Sequence, residues 1–172
     1  NSTGTEPKKS APLNNSSLAK AIIFAIVDSG CSWHCHPHAQ DLINTRPCRD
    51  TMSGTDGKAK PCTLIGDLPI VARDRQGVWR KLLLRNVRCV PAFKETLVSV
   101  DQLWEDSRVD TVFNDVRCIV LPANGDGPDI DIPFARRENL YQFAILPLLR
   151  HSPSAGDHFD RDTGRALKTT LH

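Results

Sequence analysis

The chain has 172 residues, 40% of them hydrophobic, which is enough for one domain with its own core and too little for a two-lobed enzyme. Lys and Arg total 22 against 20 Asp and Glu, a formal charge of +2, so the basic field that direct nucleic-acid binding requires is missing. No apolar run approaches a membrane span and no secretory leader is recognisable, which leads us to expect no membrane partner and an intracellular, cytoplasmic protein.

In that setting the six cysteines (31, 35, 48, 62, 89 and 118) are expected as free thiols rather than a disulfide framework. The first residue is Asn1 rather than Met, as in a piece of a longer chain. Residues 1–19 are rich in Ser, Asn, Pro, Lys and Thr without a sustained apolar period, and read as a disordered linker. The folded domain is expected over residues 20–147.

Ile22-Ile23-Phe24-Ala25-Ile26-Val27 is a short, mostly β-branched run that suits a strand buried on both faces. It drives into Asp28-Ser29-Gly30 and then into the Cys/His-rich Cys31-Ser32-Trp33-His34-Cys35-His36-Pro37-His38. A buried strand that ends on a carboxylate needs a partner or a use for that charge. A neighbouring hydroxyl at Ser29 and a sharp backbone turn at Gly30 would supply part of the reason.

Gln40 to Asp50, with Pro47, reads as a loop with one short helical turn. Met52 to Lys58 carries an Asp56-Gly57 step, the signal of a hairpin with a tight two-residue turn. Cys62 to Val71 reads as a strand with a bulge or close approach at Gly66, followed by a turn at Asp74 to Gly77. Val78 to Leu84 and Asn86 to Pro91 follow as two strand-like runs. Val100, Leu103 and Trp104 then fall at i, i+3 and i+4 behind a capping Ser99, which predicts one short helix. Val109 to Phe113, Arg117 to Leu121, Ile130 to Phe134 and Leu140 to Leu146 complete the strands, and residues 148–172 read as a disordered tail. Many short strands with one helix predict an all-β domain, a small closed barrel.

Four motifs in order carry a family resemblance: the apolar strand into Asp28-Ser29-Gly30-Cys31-Ser32-Trp33-His34; the hairpin at Thr55-Asp56-Gly57 with the Gly-centred Ile65-Gly66-Asp67-Leu68; Asn86-Val87-Arg88-Cys89-Val90-Pro91; and Leu97-Val98-Ser99-Val100-Asp101-Gln102-Leu103. A later Leu140-Tyr141 pair also fits. Over roughly Ala21 to Ile145 the chain resembles the retropepsin-like aspartic protease region of copia-class LTR retrotransposon Gag-Pol polyproteins. Cys31 departs from the alanine usual after Asp-Ser-Gly. The family's zinc-binding His/Cys segment is not recognisable before His172.

The resemblance implies a retropepsin-type barrel and a polyprotein-processing endopeptidase without a cofactor, its setting extended to virus-like particles. Asp28 would be the catalytic carboxylate, with Ser29, Gly30 and Cys31 in the active-site loop. Gly54, Thr55, Asp56 and Gly57 would form a flap over an extended polypeptide substrate, and Leu97, Val98 and Ser99 would support the loop. Such chemistry needs two carboxylates, one ionised and one protonated. Asp162-Thr163-Gly164 lies between Arg161 and Arg165 in the polar tail without an entering strand, and reads as chance. The second carboxylate is therefore expected from another copy of Asp28 in a homodimer, with Leu140 to Leu146 adding to the interface and a bell-shaped acidic rate profile.

Two rival readings come from other classes. Cys31, His34, Cys35, His36, His38 and Cys48 put soft ligands in a short span, but their spacing fits no common zinc pattern, so no metal is expected. A catalytically silent or domesticated barrel, serving as a binding or structural module of the polyprotein, would carry the same motifs.

Overall fold

A computed structural model describes residues 22–149 except residues 55, 124 and 126. The expected linker, nearly all of the expected tail, Asp162-Thr163-Gly164 and the flap residue Thr55 lie outside the described residues. Among those described, strands dominate, with one α-helix. No helix among them is long and apolar enough to cross a membrane.

The organising strand is β1 (Ile23–Asp28). It pairs antiparallel with β13 (Leu140–Pro147), Ile23 opposite Ile145 and Val27 opposite Tyr141. On its other edge it pairs parallel with β8 (Thr96–Ser99), which brings Asp28 opposite Ser99. Ala25, Ile26 and Val27 are buried on both faces, as the run predicts, and each large apolar side chain so buried contributes about 1.5–3 kcal/mol. Phe24 departs from that expectation. It is 43% exposed and lies under the Arg137 guanidinium, 5.0 Å from ring centroid to Cζ.

Next come β2 (Cys35–His36), a 3₁₀ turn at Ala39–Asp41 and β3 (Ile43–Pro47). The short helical turn was expected, but the loop expected to fill the rest of this stretch is largely strand. Pro47 is tolerated because β3 is the last strand of the sheet, where a missing N–H costs no internal ladder bond. The hairpin of β4 (Thr51–Ser53) and β5 (Ala59–Pro61) forms its own two-stranded sheet. Its connection is longer than the two-residue turn predicted: Ser53 pairs with Ala59, so residues 54–58 make the loop. Gly57, at φ +68°, supplies its left-handed corner.

The longest pairing joins β6 (Leu64–Arg73) to β7 (Trp79–Cys89). The Asp74 carboxylate shapes their turn, accepting from the Gln76 and Val78 amides at 3.0 and 2.9 Å and from Arg80 Nε at 2.7 Å. Burial alone would raise its pKa, and these donors, Arg80 first, hold it below the usual range instead. Gly66 is a true close approach, since a Cβ there would stand 2.7 Å from the Ile43 carbonyl oxygen. The two runs read as separate strands before and after Arg85 are one strand. Between the pairs Gly66–Val87 and Leu68–Leu84 the register slips by one, and Asn86 at φ 52° forms the bulge that disguised the continuity.

The helix α1 (Val100–Ser107) begins where expected, behind Ser99. Val100 and Leu103 pack on the core as the period predicts, but Gln102 is buried beside them while Trp104 is 47% exposed against Arg108. Beyond it, β9 (Asp110–Val112), β10 (Cys118–Leu121) and β11 (Ile130–Pro133) form a three-stranded sheet. A further strand, β12 (Ala135–Arg137), pairs with the start of β13. Because β13 pairs with β6 as well as β1, the ladder runs from β13 through β1, β8, β2, β7 and β6 and returns to β13. Inside lies one main core that includes Val27, Leu68, Ile70, Val87, Val98, Phe143 and Ile145.

Candidate active site

Strand β1 carries Asp28 to the rim of the sheet, half-buried, with Ser29 and Gly30 exposed in the turn that follows. The Gly30 N–H donates to Asp28 Oδ1 at 2.8 Å, so one carboxylate oxygen is fixed by the loop's own backbone. Gly30 does not have a positive φ. Its lack of a side chain serves proximity instead, since a Cβ would lie 3.3 Å from that same oxygen.

What fixes the loop is a buried hydrogen-bonded set behind it. His34 is 1% exposed, and its Nδ1 accepts from the Ser99 backbone N–H at 3.0 Å. The ring must be unprotonated at Nδ1 to do so, and burial pushes its pKa down to about 4 against a weaker opposing pull from Asp106. The Ser99 hydroxyl caps α1 by accepting from the Gln102 N–H at 3.1 Å. Ser-x-x-Gln is a capping-box sequence, in which the glutamine normally reaches back to the serine N–H. Here His34 has taken that N–H, which frees the Gln102 side chain for other partners. Its Oε1 accepts from the His34 N–H, and its Nε2 donates to Asp106 Oδ2 at 2.7 Å and to the Arg85 carbonyl at 2.9 Å. Asn86 joins through its side chain to Asp106 at 3.1 Å and its N–H to Asp67 at 3.2 Å.

Leu97, Val98 and Ser99, expected to support the loop, lie beside β1, with Val98 in the core and Ser99 opposite Asp28. The predicted flap residues Gly54, Asp56 and Gly57 lie in the β4–β5 loop, where Asp56 accepts from Lys60 Nζ at 2.7 Å and from the Lys58 N–H at 3.1 Å. The Lys60 hydrogen bond, then that of Lys58, lowers the Asp56 pKa. The base of this hairpin reaches the loop through one apolar cluster that holds Met52, Cys62, Cys35, Cys31 and Leu97.

The Cys/His segment is engaged in structure. His36, fully buried, has Nε2 2.7 Å from Asp41 Oδ2 and Nδ1 2.8 Å from Thr96 Oγ1, which ties β2 to the 3₁₀ turn and to β8. His38 meets His36 edge-on at 5.5 Å. Among the described residues no group of three or more His, Cys, Asp or Glu is placed to hold a metal ion.

Gln102, Asn86, Asp106, Thr96 and Asp41 were not singled out from the sequence as site residues, and His36 was weighed there only as a metal ligand. The Ser99-x-x-Gln102 spacing was the available signal for the first; the others depend on contacts between distant strands.

Residues 25–108 match the family model described as Pol polyprotein, beta-barrel domain. The matched segment begins within β1 and ends just after α1, so it contains Asp28, the hairpin and the whole buried set, and it supports a Pol polyprotein region. No curated protein and no solved structure matches the chain.

Proposed function

We propose that this Pol polyprotein region is the polyprotein's aspartic endopeptidase, of the copia-class retropepsin type, built on a barrel that the β13–β6 pairing closes. The observation that carries the reading is the seating of Asp28. A core strand delivers it to the rim, Gly30 fixes one of its oxygens, and the strand beside it is clamped to the loop through His34 and Ser99. A carboxylate held this rigidly suits a reaction in which it must face a reacting water in a set orientation.

The described residues contain one Asp-Ser-Gly, and the chemistry uses two carboxylates. A second copy of the chain supplies the other across a two-fold axis. Two like charges so close cannot both ionise, so the pair shares one proton. The ionised carboxylate takes a proton from water as the oxygen attacks the peptide carbonyl. The protonated one donates to the carbonyl oxygen, and collapse of the tetrahedral adduct returns a proton to the leaving amine. The β4–β5 hairpin covers the extended substrate. Nearly all of β13 is paired, to β12, β1 or β6, so contact between copies through this strand relies on side chains such as the exposed Leu140 rather than on a free backbone edge.

The test is incubation of purified protein with its precursor polypeptide, with and without a statine-type aspartic-protease inhibitor. Inhibitable cleavage that Asp28→Asn lowers by at least ~10²-fold, with the fold retained, is the expected result. Cleavage that survives Asp28→Asn removes Asp28 from the chemistry. A folded dimer that never cuts favours the binding-module reading.

A further inference from the structure

The four thiols beside the candidate loop are not used by peptide hydrolysis, and they are arranged in two pairs. Cys31 Sγ donates to the Trp33 carbonyl oxygen at 2.9 Å, and Cys35 Sγ lies 3.6 Å from the same oxygen. Both sulfurs therefore converge on one acceptor, and they pack in one apolar cluster. Cys48 and Cys62 form a second pair in the same apolar cluster, with Cys62 Sγ donating to the Leu64 carbonyl at 3.3 Å and the Asp50 N–H donating to Cys48 Sγ at 3.4 Å.

A buried cation serves this cluster. Arg88 is 7% exposed, its guanidinium lies 3.5 Å from the centre of the half-exposed Trp33 ring, and one of its nitrogens reaches Asp50 Oδ2 at 3.4 Å. Its Nε is buried without a hydrogen-bond partner. The positive charge favours thiolate on Cys31, Cys35 and Cys62, while Asp28 opposes it at Cys31 and Asp50 opposes it at Cys62.

The two members of the first pair are unequal. Cys31 is partly exposed, and the hydrogen bond from Cys35, set against burial, brings its thiol down to about 7. Cys35 is fully buried, and the same hydrogen bond together with burial pushes its thiol up. Such a pair has an accessible nucleophile and a sheltered resolving thiol. Burial first, then the Cys48 hydrogen bond, pushes Cys62 up to about 12, so the second pair has no matching nucleophile in Cys62.

We propose that Cys31 and Cys35 are a redox-active pair that a low-molecular-weight disulfide such as oxidised glutathione converts to an internal disulfide next to Asp28. The Cys31 thiolate attacks one sulfur of the glutathione disulfide. That S–S bond breaks, and one glutathione leaves with the electron pair and takes up the proton that Cys31 lost. Cys35 then loses its proton and attacks the Cys31 sulfur, and the second glutathione leaves as thiol. Two protein thiols are oxidised and one glutathione disulfide is reduced. The bond replaces both thiol contacts to the Trp33 carbonyl and closes the segment that follows Gly30 into a ring. This goes beyond the peptidase reading, and its readout is the sulfur bond itself.

The test is peptide mapping of the intact protein after treatment with oxidised glutathione, alongside Cys31→Ser, Cys35→Ser and the Cys48→Ser/Cys62→Ser double variant. Wild type and the double variant should each lose two hydrogens, with Cys31 and Cys35 both protected from alkylation. Cys35→Ser should stop at a glutathione adduct on Cys31, and folded Cys31→Ser should leave Cys35 unmodified. Without oxidant, Cys31 should alkylate at least ~10-fold faster than Cys35 at neutral pH. A Cys48–Cys62 bond formed first, a wild-type adduct on Cys31 that Cys35 never resolves, stoichiometric zinc that protects the four thiols, or no reaction would each overturn the proposal.

Discussion

The segment from Asp28 to His36 has two sides of opposite character. Behind it, His34, Ser99 and Gln102 form a buried set in which an imidazole takes the helix-cap N–H and a glutamine joins the His34 N–H to β7 and to Asp106 of its own helix. In front, Cys31, Cys35, Trp33 and Arg88 form a partly exposed group held by thiol contacts and a stacked cation. The first side has little freedom, because each buried donor and acceptor is committed and losing one strands another. The proposed disulfide requires that the second side be altered chemically with small effect on the fold. Geometry at Asp28 is set from behind, and its surroundings can be changed from the front.

Substitutions that break this contrast should fall in a definite order. The largest effect is expected from Gln102→Leu, which strands the buried His34 N–H and removes the contacts of Gln102 to Asp106 and β7, and should destabilise by about 3 kcal/mol in chemical denaturation. Acid comes next. The His34 imidazole takes its proton near pH 6.5 when unfolded and only near about 4 when folded, so the unfolded chain binds more protons between those values. Stability from this group is complete above pH 6.5, falls as pH drops from there toward 4, and is constant below, an amount on the order of 3 kcal/mol. Denaturation midpoints measured across that range should decline, and His34→Asn should flatten the decline while lowering stability throughout. Ser99→Ala removes one cap acceptor and should cost about 1 kcal/mol by the same assay. On the other side, Cys31→Ala should change stability by less than ~0.5 kcal/mol while abolishing the fast alkylation, which sharpens the contrast between a structural and a chemical face.

The parts of the molecule read from sequence were those with local signals. The β1 run, the Asp28-Ser29-Gly30 turn, the Ser99 cap and the close approach at Gly66 each announce themselves within a few residues. What stayed hidden depends on distant contacts or on a local signal that points the wrong way. Pro47 resembles a loop residue and sits in an edge strand, and Asn86 interrupts a strand that continues through it. Trp104 fits an apolar helical period, yet Gln102 is buried in its place, because His34 from the other end of the site occupies the serine N–H. The resemblance expects Leu97, Val98 and Ser99 to support the loop, and the structure pairs them with Ile26, Val27 and Asp28 of β1. It carried no information on the thiol pairs, since Cys31 is where this chain departs from the pattern.

The central claim is that one Asp28 from each of two chains makes one active site. Its most direct measurement is precursor cleavage at fixed wild-type concentration as folded Asp28→Asn protein is added. If each site needs both carboxylates, mutant chains capture wild-type partners into heterodimers with a single Asp28, and activity should fall toward zero as mutant comes into excess. Activity that stays constant at every ratio, in a mixture shown to exchange subunits, would mean that a single chain cuts alone and would contradict the account.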